Sequence, residues 1–318
     1  MRRPRSGPGE RILVAGAGVI GRVYAARLAA AGNEIEVLAR GATLRELAER
    51  PITLRSGGRS LRQPVAVVDV PEGGYDTVLL AVRRDQIDSA AGCLEAVDCD
   101  RVVTLGNCPL GVAELRARLG DRVIAGFPGV GGRFDADGVV EYVPIRQQPT
   151  TLERRGGRES GAVMALRRSG FEVRTSGRMQ DWLATHAVFV VAMCEALDRV
   201  DYSAPGLADD PAVLSALVDA VRSGFRGLRA RGTVVTPAAL AFLFTRTPTG
   251  FAAAYWSRLL RGPVGTVALA PHARAARDTE IAALRADVAR LLPLGSAPGL
   301  DSFLRVGASD PGSGPPRP

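Results

Sequence analysis

The hexapeptide Gly16-Ala17-Gly18-Val19-Ile20-Gly21 constrains this chain more than any other stretch. It follows the apolar run Ile12-Leu13-Val14-Ala15 and opens a helix-friendly segment, residues 19–31, that stops at Gly32-Asn33. A Gly-x-Gly-x-x-Gly run between a buried strand and a helix predicts the first turn of a dinucleotide-binding βαβ unit. Gly16 permits the tight turn, Gly18 lets the backbone approach a pyrophosphate, and Gly21 lets the helix sit close to the sheet. Val19 and Ile20 stand where the orphan N–H groups of a helix start favour an anion.

Strand and helix signals then alternate. Residues 35–39, 77–82, 101–105 and 122–125 read as strands. Residues 43–48, capped by Thr43 with Glu46 closing a capping box, and residues 85–96 read as helices, with Pro109 opening another. This order predicts a Rossmann-type, doubly wound parallel sheet. Residues 138–145 and 148–152 read as strands closing that domain, followed by a helix at 160–168 and a last strand at 171–175. From residue 179 the pattern is helical, over 179–199, 211–231, 237–245 and 272–292. The expected organisation is a flexible N-terminus (1–10), a dinucleotide-binding domain (11–176), an all-helical substrate and dimerisation domain (177–306), and a disordered tail (307–318) ending in Pro-Gly-Ser-Gly-Pro-Pro-Arg-Pro.

A chain of 318 residues is long enough for two such domains, and its 46% hydrophobic and 23% charged residues suit a globular protein. No apolar run reaches the roughly 18 residues of a membrane-spanning helix. The longest, residues 183–193, is interrupted by His186, and residues 1–10 have no apolar stretch of the secretory kind. A cytoplasmic protein without membrane contact is expected. Cys93, Cys99, Cys108 and Cys194 lack metal-site or redox spacing, and His186 and His272 are the only histidines, so no metal is expected. The net charge of +8 comes entirely from arginine on the basic side, scattered without an aromatic-interleaved cluster, so no nucleic-acid partner is expected either. The chain contains no lysine, which removes a common proton donor.

The second strand carries the information about the ribose. An NAD site usually ends that strand with a carboxylate for the 2′-hydroxyl; here Leu38-Ala39 leads to Arg40, whose guanidinium suits the 2′-phosphate of NADP(H). Arg83-Arg84-Asp85-Gln86 and Gly106-Asn107 follow strands at their carboxyl ends, where open α/β sheets place ligands. Asn107 reads either as a turn residue or as a donor to nicotinamide or substrate.

Together these residues resemble the ketopantoate reductase family, which has the glycine loop, an arginine after the second strand, a basic residue and a glutamine after the fourth, and an Asn-Gly turn. Arg40, Arg83, Gln86 and Asn107 fall at those positions, with Cys108 in place of the glycine. The resemblance spans roughly residues 11–295, with motif-level strength in the first 110 or so. It also implies a long helix carrying a tryptophan, here Asp181-Trp182-Leu183, at the head of the helical domain. In the family a lysine follows that tryptophan by two residues, and asparagines follow the lysine by four and eight. Counted this way the positions are Ala184, Val188 and Ala192, an apolar stripe with no acid for a developing alkoxide. The family's substrate-binding glutamate, in Thr-Glu-Ile-Asp, falls at Thr266 when counted from Arg261-Gly262.

The departure implies that ketopantoate itself is not reduced efficiently. The expected function is NADP(H)-dependent reduction of a carbonyl or imine on an apolar small molecule, with His186 or a water as proton source. Trp182, Ala184, Val188, Tyr255 and His272 are expected around the substrate. His186 also reads as a core histidine, His272 as a surface helix-start residue, and Tyr255 and Trp256 as packing residues. Glu195 reads as an exposed helix carboxylate or, if buried, a base. A non-redox cyclase or isomerase on the same scaffold, and a nucleotide-sensing binding protein, stand as alternatives. The long helices also suit a homodimer interface.

Overall fold

A computed structural model describes residues 9–306, so the expected flexible N-terminus over residues 1–8 and the expected tail over 307–318 lie outside the described residues. Strand β1 (Arg11–Ala15) is buried over four of its five residues and leads into α1 (Val19–Ala30). After β2 (Glu34–Leu38) and α2 (Gly41–Glu49) come three strands absent from the sequence reading: β3 (Ile52–Ser56), β4 (Arg59–Gln63) and β5 (Ala66–Val68). The first domain continues through β6 (Gly74–Leu80), α3 (Ile87–Leu94), β7 (Asp98–Thr104), α4 (Ala113–Leu119), β8 (Val123–Ile124) and β9 (Gly126–Phe127). It ends with β10 (Val130–Phe134), β11 (Val140–Pro144), β12 (Thr150–Glu153), α5 (Ser160–Arg168) and β13 (Val173–Ser176).

Six strands form a parallel sheet in the order β5-β2-β1-β6-β7-β8. The order reverses between β1 and β6, where Ala15 stands in register with both Leu38 and Leu80. A crevice opens outside the carboxyl ends of the strands at such a switch point, and the glycine loop sits there. Strands 138–145 and 148–152 of the sequence reading go elsewhere. β11 joins a second sheet of order β10-β11-β3-β4, and β12 pairs with β13 and β9. Two features of α2 also differ from expectation. Arg40 is its N-cap residue, so Thr43 lies inside the first turn, and Glu46 turns to Arg22 instead of closing a capping box.

The helical half begins with α6 (Met179–Asp198), buried on nearly every side as an all-round apolar helix must be. Two further helices are α7 (Ala204–Ala208) and α8 (Pro211–Ala230); α8 is capped by Asp210, whose carboxylate accepts from Ala212 and Val213 N–H. Next come α9 (Ala238–Thr245) and α10 (Thr249–Arg261), the second absent from the sequence reading. The expected single helix 272–292 is divided: widened π-type turns at Val264–Leu269 and Arg277–Ile281 precede α11 (Ala270–Ala276) and α12 (Ala282–Leu291). A last helix, α13 (Pro298–Val306), packs on α8. No helix among the described residues is long and apolar enough to cross a membrane.

Candidate functional site

A cleft of about 1790 Å³ runs from the glycine loop, over the carboxyl ends of the parallel strands, to the faces of α6, α9, α10 and α11. Ligand pockets commonly measure about 300–1,000 Å³, so this cleft has room for a dinucleotide and a second molecule.

Its floor is the phosphate loop. Gly16 has φ +118°, and a Cβ there would lie 2.4 Å from the Ala81 carbonyl oxygen. A Cβ on Gly21 would lie 1.8 Å from the Gly16 carbonyl oxygen, so the approach of α1 to the turn requires glycine. Gly18 is different: a Cβ on it would meet no protein atom within 4 Å. No side chain caps α1, whose first residues Val19 and Ile20 line the cleft with Gly18. A bare glycine facing open space beside an uncapped helix start fits a dinucleotide pyrophosphate.

Beside the start of α2 Arg40 is exposed and lines the cleft with Thr43 and Cys93; its Nη2 lies 3.1 Å from the Cys93 Sγ. The backbone that presents Arg40 is braced by Arg22, which is buried. Its guanidinium donates to Glu46 Oε1 at 2.7 Å, to Glu46 Oε2 at 2.9 Å and to the Ala17 carbonyl at 2.9 Å. One side chain thus ties the phosphate loop to α2, and its hydrogen bonds hold the Glu46 carboxyl below the usual carboxylate range.

At the opposite end, residues from both domains meet. Asn107 is buried, and its Nδ2 donates to Glu280 Oε1 at 2.9 Å. The Arg84 backbone N–H reaches the same oxygen at 3.4 Å, and His272 Nε2 lies 3.5 Å from Glu280 Oε2. His272 faces the cleft with its pKa lowered by burial and by nearby Arg83, an effect Glu280 opposes. Arg83 reaches across to the Ala275 carbonyl at 3.3 Å, and Gln86 accepts from the Arg83 backbone N–H at 3.3 Å. Arg84 Nε donates to buried Asp287 at 2.6 Å. Asn107, His272, Arg83 and Gln86 therefore line one end of the cleft together.

Glu280 was missed in the sequence, and Thr266 is corrected. Thr266 is exposed in the first widened turn, whereas Thr279-Glu280-Ile281 spells the family tripeptide fourteen residues further on. Reading that tripeptide directly, instead of counting from Arg261-Gly262, locates the buried cleft carboxylate.

The stripe assigned to α6 is corrected as well. Ala184, Val188 and Ala192 are buried and face away from the cleft. Val188 meets α8 so closely that a Cβ on Gly224 would lie 2.5 Å from its Cγ1. The face turned to the cleft carries His186, Val190 and Cys194, two residues or about 200° of helix further round. His186 packs among aromatic rings, 4.2 Å from the Phe127 centroid and stacked on Trp182 at 5.1 Å. Burial, reinforced by His272, lowers its pKa to about 3. That shift disfavours the imidazolium, the more acidic form of the ring. Trp182 and Tyr255 line the cleft, and Trp256 stacks on Phe189 at 4.8 Å.

Glu195 is neither exposed nor in the cleft. It is buried beside a separate cavity of about 470 Å³, with Oε2 accepting from Arg285 at 3.0 Å, and burial raises its pKa. Burial likewise pushes the Cys108 and Cys194 thiols up to about 12. Among the described residues no group of three or more His, Cys, Asp or Glu side chains is placed to hold a metal ion.

Residues 12–155 match the family model described as Ketopantoate reductase PanE/ApbA. No curated protein matches the sequence significantly. Solved structures share the fold over nearly the whole chain. A PanE/ApbA family ketopantoate reductase from Ralstonia eutropha JMP134 has a TM-score of 0.71 at 19% identity, covering 93% of this chain and 98% of that one. The 2-dehydropantoate 2-reductase from Geobacter metallireducens GS-15 has a TM-score of 0.72 at 17% identity, covering 94% and 100%. D-mandelate dehydrogenase, solved with NADH and anilino(oxo)acetate, has a TM-score of 0.72 at 15% identity, covering 94% and 97%. Residues 12–155 thus match the ketopantoate reductase PanE/ApbA family model, and the chain as a whole has the fold of solved ketopantoate reductases.

Proposed function

We propose that the protein is an NADP(H)-dependent reductase of a carbonyl or imine carbon on a small molecule other than ketopantoate. The observation that carries this reading is one continuous cleft. It joins a bare-glycine phosphate loop to a cross-domain cluster of Asn107, Glu280 and His272. A bound reduced nicotinamide supplies the hydride.

The chain's own residues supply the rest. Val19 and Ile20 N–H groups hold the pyrophosphate, and Arg40, helped by Thr43 and the start of α2, holds the 2′-phosphate. Arg83, Gln86 and Asn107 line the route to the reacting end. His272 gives the proton to the substrate oxygen or nitrogen, and Glu280 fixes the imidazole and favours its charged form. His186 and Trp182 form an apolar wall that keeps water from that end.

Titration of the purified protein with NADPH and NADH tests the cofactor, with much tighter NADPH binding expected. Incubation with NADPH and a panel of 2-oxo acids, ketones and imines, read by product mass, tests the reaction. A gain of two hydrogens supports reduction. A product of unchanged mass supports a cyclase or isomerase and overturns it.

A further inference from the structure

The cleft does not end at the His272–Glu280 pair. Beyond it lies a lobe walled by α6, α9 and α10, and its side chains differ sharply from those of the cofactor rim. Phe189, Leu240, Leu243, Phe251, Tyr255 and Trp256 line it. Every lining residue contributed by α9 and α10 is uncharged. Arginines instead line other parts of the cleft, at positions 22 and 40 on the α2 side, at 83 and 274 near His272, and at 133, 146 and 174.

The lobe's rings also interlock. Phe189 stacks on Trp256 at 4.8 Å, Phe244 lies behind both at 5.9 and 6.0 Å, and Tyr255 meets the Trp256 edge at 5.6 Å. Interlocked rings of this kind hold one another in place behind the lining. At the mouth, Phe242 and Phe251 are each 61% exposed, which leaves apolar surface uncovered on the cleft's own rim.

From this arrangement we infer that the substrate carries an uncharged aryl group on or beside its reducible carbon, and that this group is held between α6, α9 and α10. The inference rests on the reductase reading of the cleft and deepens it. A substrate oriented this way places its polar, reducible end against Asn107, Glu280 and His272 and its ring against Phe189, Leu243 and Phe251. A charged or hydroxylated substituent entering the lobe would give up its water without a charged partner from α9 or α10. The ring would also cover the exposed edges of Phe242 and Phe251.

The full chain saturated with NADP⁺ forms complexes that cannot turn over, so binding is measured without reaction. The probes are phenylglyoxylate, pyruvate and ketopantoate. The readouts are calorimetry and the fluorescence of Trp182 and Trp256, the only two tryptophans, both lining the cleft. Phenylglyoxylate is expected to quench that fluorescence and to bind roughly tenfold or more tightly than pyruvate or ketopantoate. Phe251→Asp, at an exposed position, is expected to remove that advantage while NADP⁺ affinity stays unchanged. Leu243→Asp is expected to do the same. Equal affinity for phenylglyoxylate and pyruvate in NADP⁺-loaded protein would overturn the aryl assignment and leave the reductase reading intact. Failure to bind NADP⁺ at all would sink both.

Discussion

Asn107 and Glu280 are 173 residues apart in the chain, yet the Asn107 side-chain amide donates to the Glu280 carboxylate at 2.9 Å inside the cleft. Asn107 follows the parallel strand β7, and Glu280 lies within the second widened turn of the helical region. Their bond, with Arg84 to Asp287, ties the carboxyl ends of β6 and β7 to the helical region.

That bond makes the cluster sensitive to charge. Asn107→Ala leaves Glu280 Oε1 with only the longer Arg84 N–H bond, and should cost about 1–3 kcal/mol of unfolding free energy in urea. Asn107→Asp sets a second carboxylate against the first, so its loss should be larger at pH 8 than at pH 5, where protonation relieves the repulsion. A pH-independent loss would contradict this arrangement.

The loop glycines separate folding from binding. Gly18→Ala meets no protein atom and should leave the melting temperature within a few degrees of the parent, while weakening NADPH binding at least tenfold. Gly21→Ala drives a methyl into the Gly16 carbonyl and should lower the melting temperature markedly. Calorimetry and NADPH titration on both variants check the pair.

Cofactor choice should follow Arg40. Replacing its guanidinium by a carboxylate in Arg40→Asp removes a charge-assisted contact worth about 1.5–3 kcal/mol, or roughly 10–100-fold in NADPH affinity. NADH should bind as well or better. Unchanged preference in parallel titrations would remove Arg40 from the site.

Acid should destabilise the protein through His186. Its folded pKa, lowered to about 3, lies below the unfolded value of 6.5, so the unfolded chain binds the proton first. Stability associated with the neutral ring is complete above pH 6.5 and falls with pH below it, by about 1.4 kcal/mol per unit down to the folded pKa. His186→Leu removes the proton uptake, so its stability should fall less steeply between pH 6.5 and 4 in urea titrations.

Reduction should depend on pH through His272. Only its protonated form donates, and burial lowers its pKa from 6.5, so turnover should decline as pH rises through that lowered value. Glu280→Gln removes the group that favours the charged ring and should move the decline to still lower pH. His272→Gln should lower turnover and abolish that decline with rising pH while NADPH affinity is kept.

The fold was largely readable because strand-turn-helix patterns are local: β1, the glycine loop and α1 lie within 20 residues, and their sterics depend on near neighbours. The three strands at 52–68 were not recognised because β4 is mostly polar, although Gly57-Gly58, both at positive φ, mark its hairpin turn. The long α6 was recognised, but not which side of it meets the cleft. An all-round apolar helix has no polar face to settle its rotation, and the close approach of α8 at Gly224 settled it.

By itself the sequence determined a Gly-x-Gly-x-x-Gly turn between strand and helix, an arginine where NAD sites carry a carboxylate, and an absence of lysine, because each depends on residue type at a local position. Tertiary structure decided that Glu280 and His272, and not the 184–188–192 stripe, stand beside Asn107. The physical reason lies in the two widened turns, Val264–Leu269 ahead of the helix that carries His272 and Arg277–Ile281 around Glu280, which shift side-chain phase from that of one continuous α-helix. No count along the sequence carries that rotation.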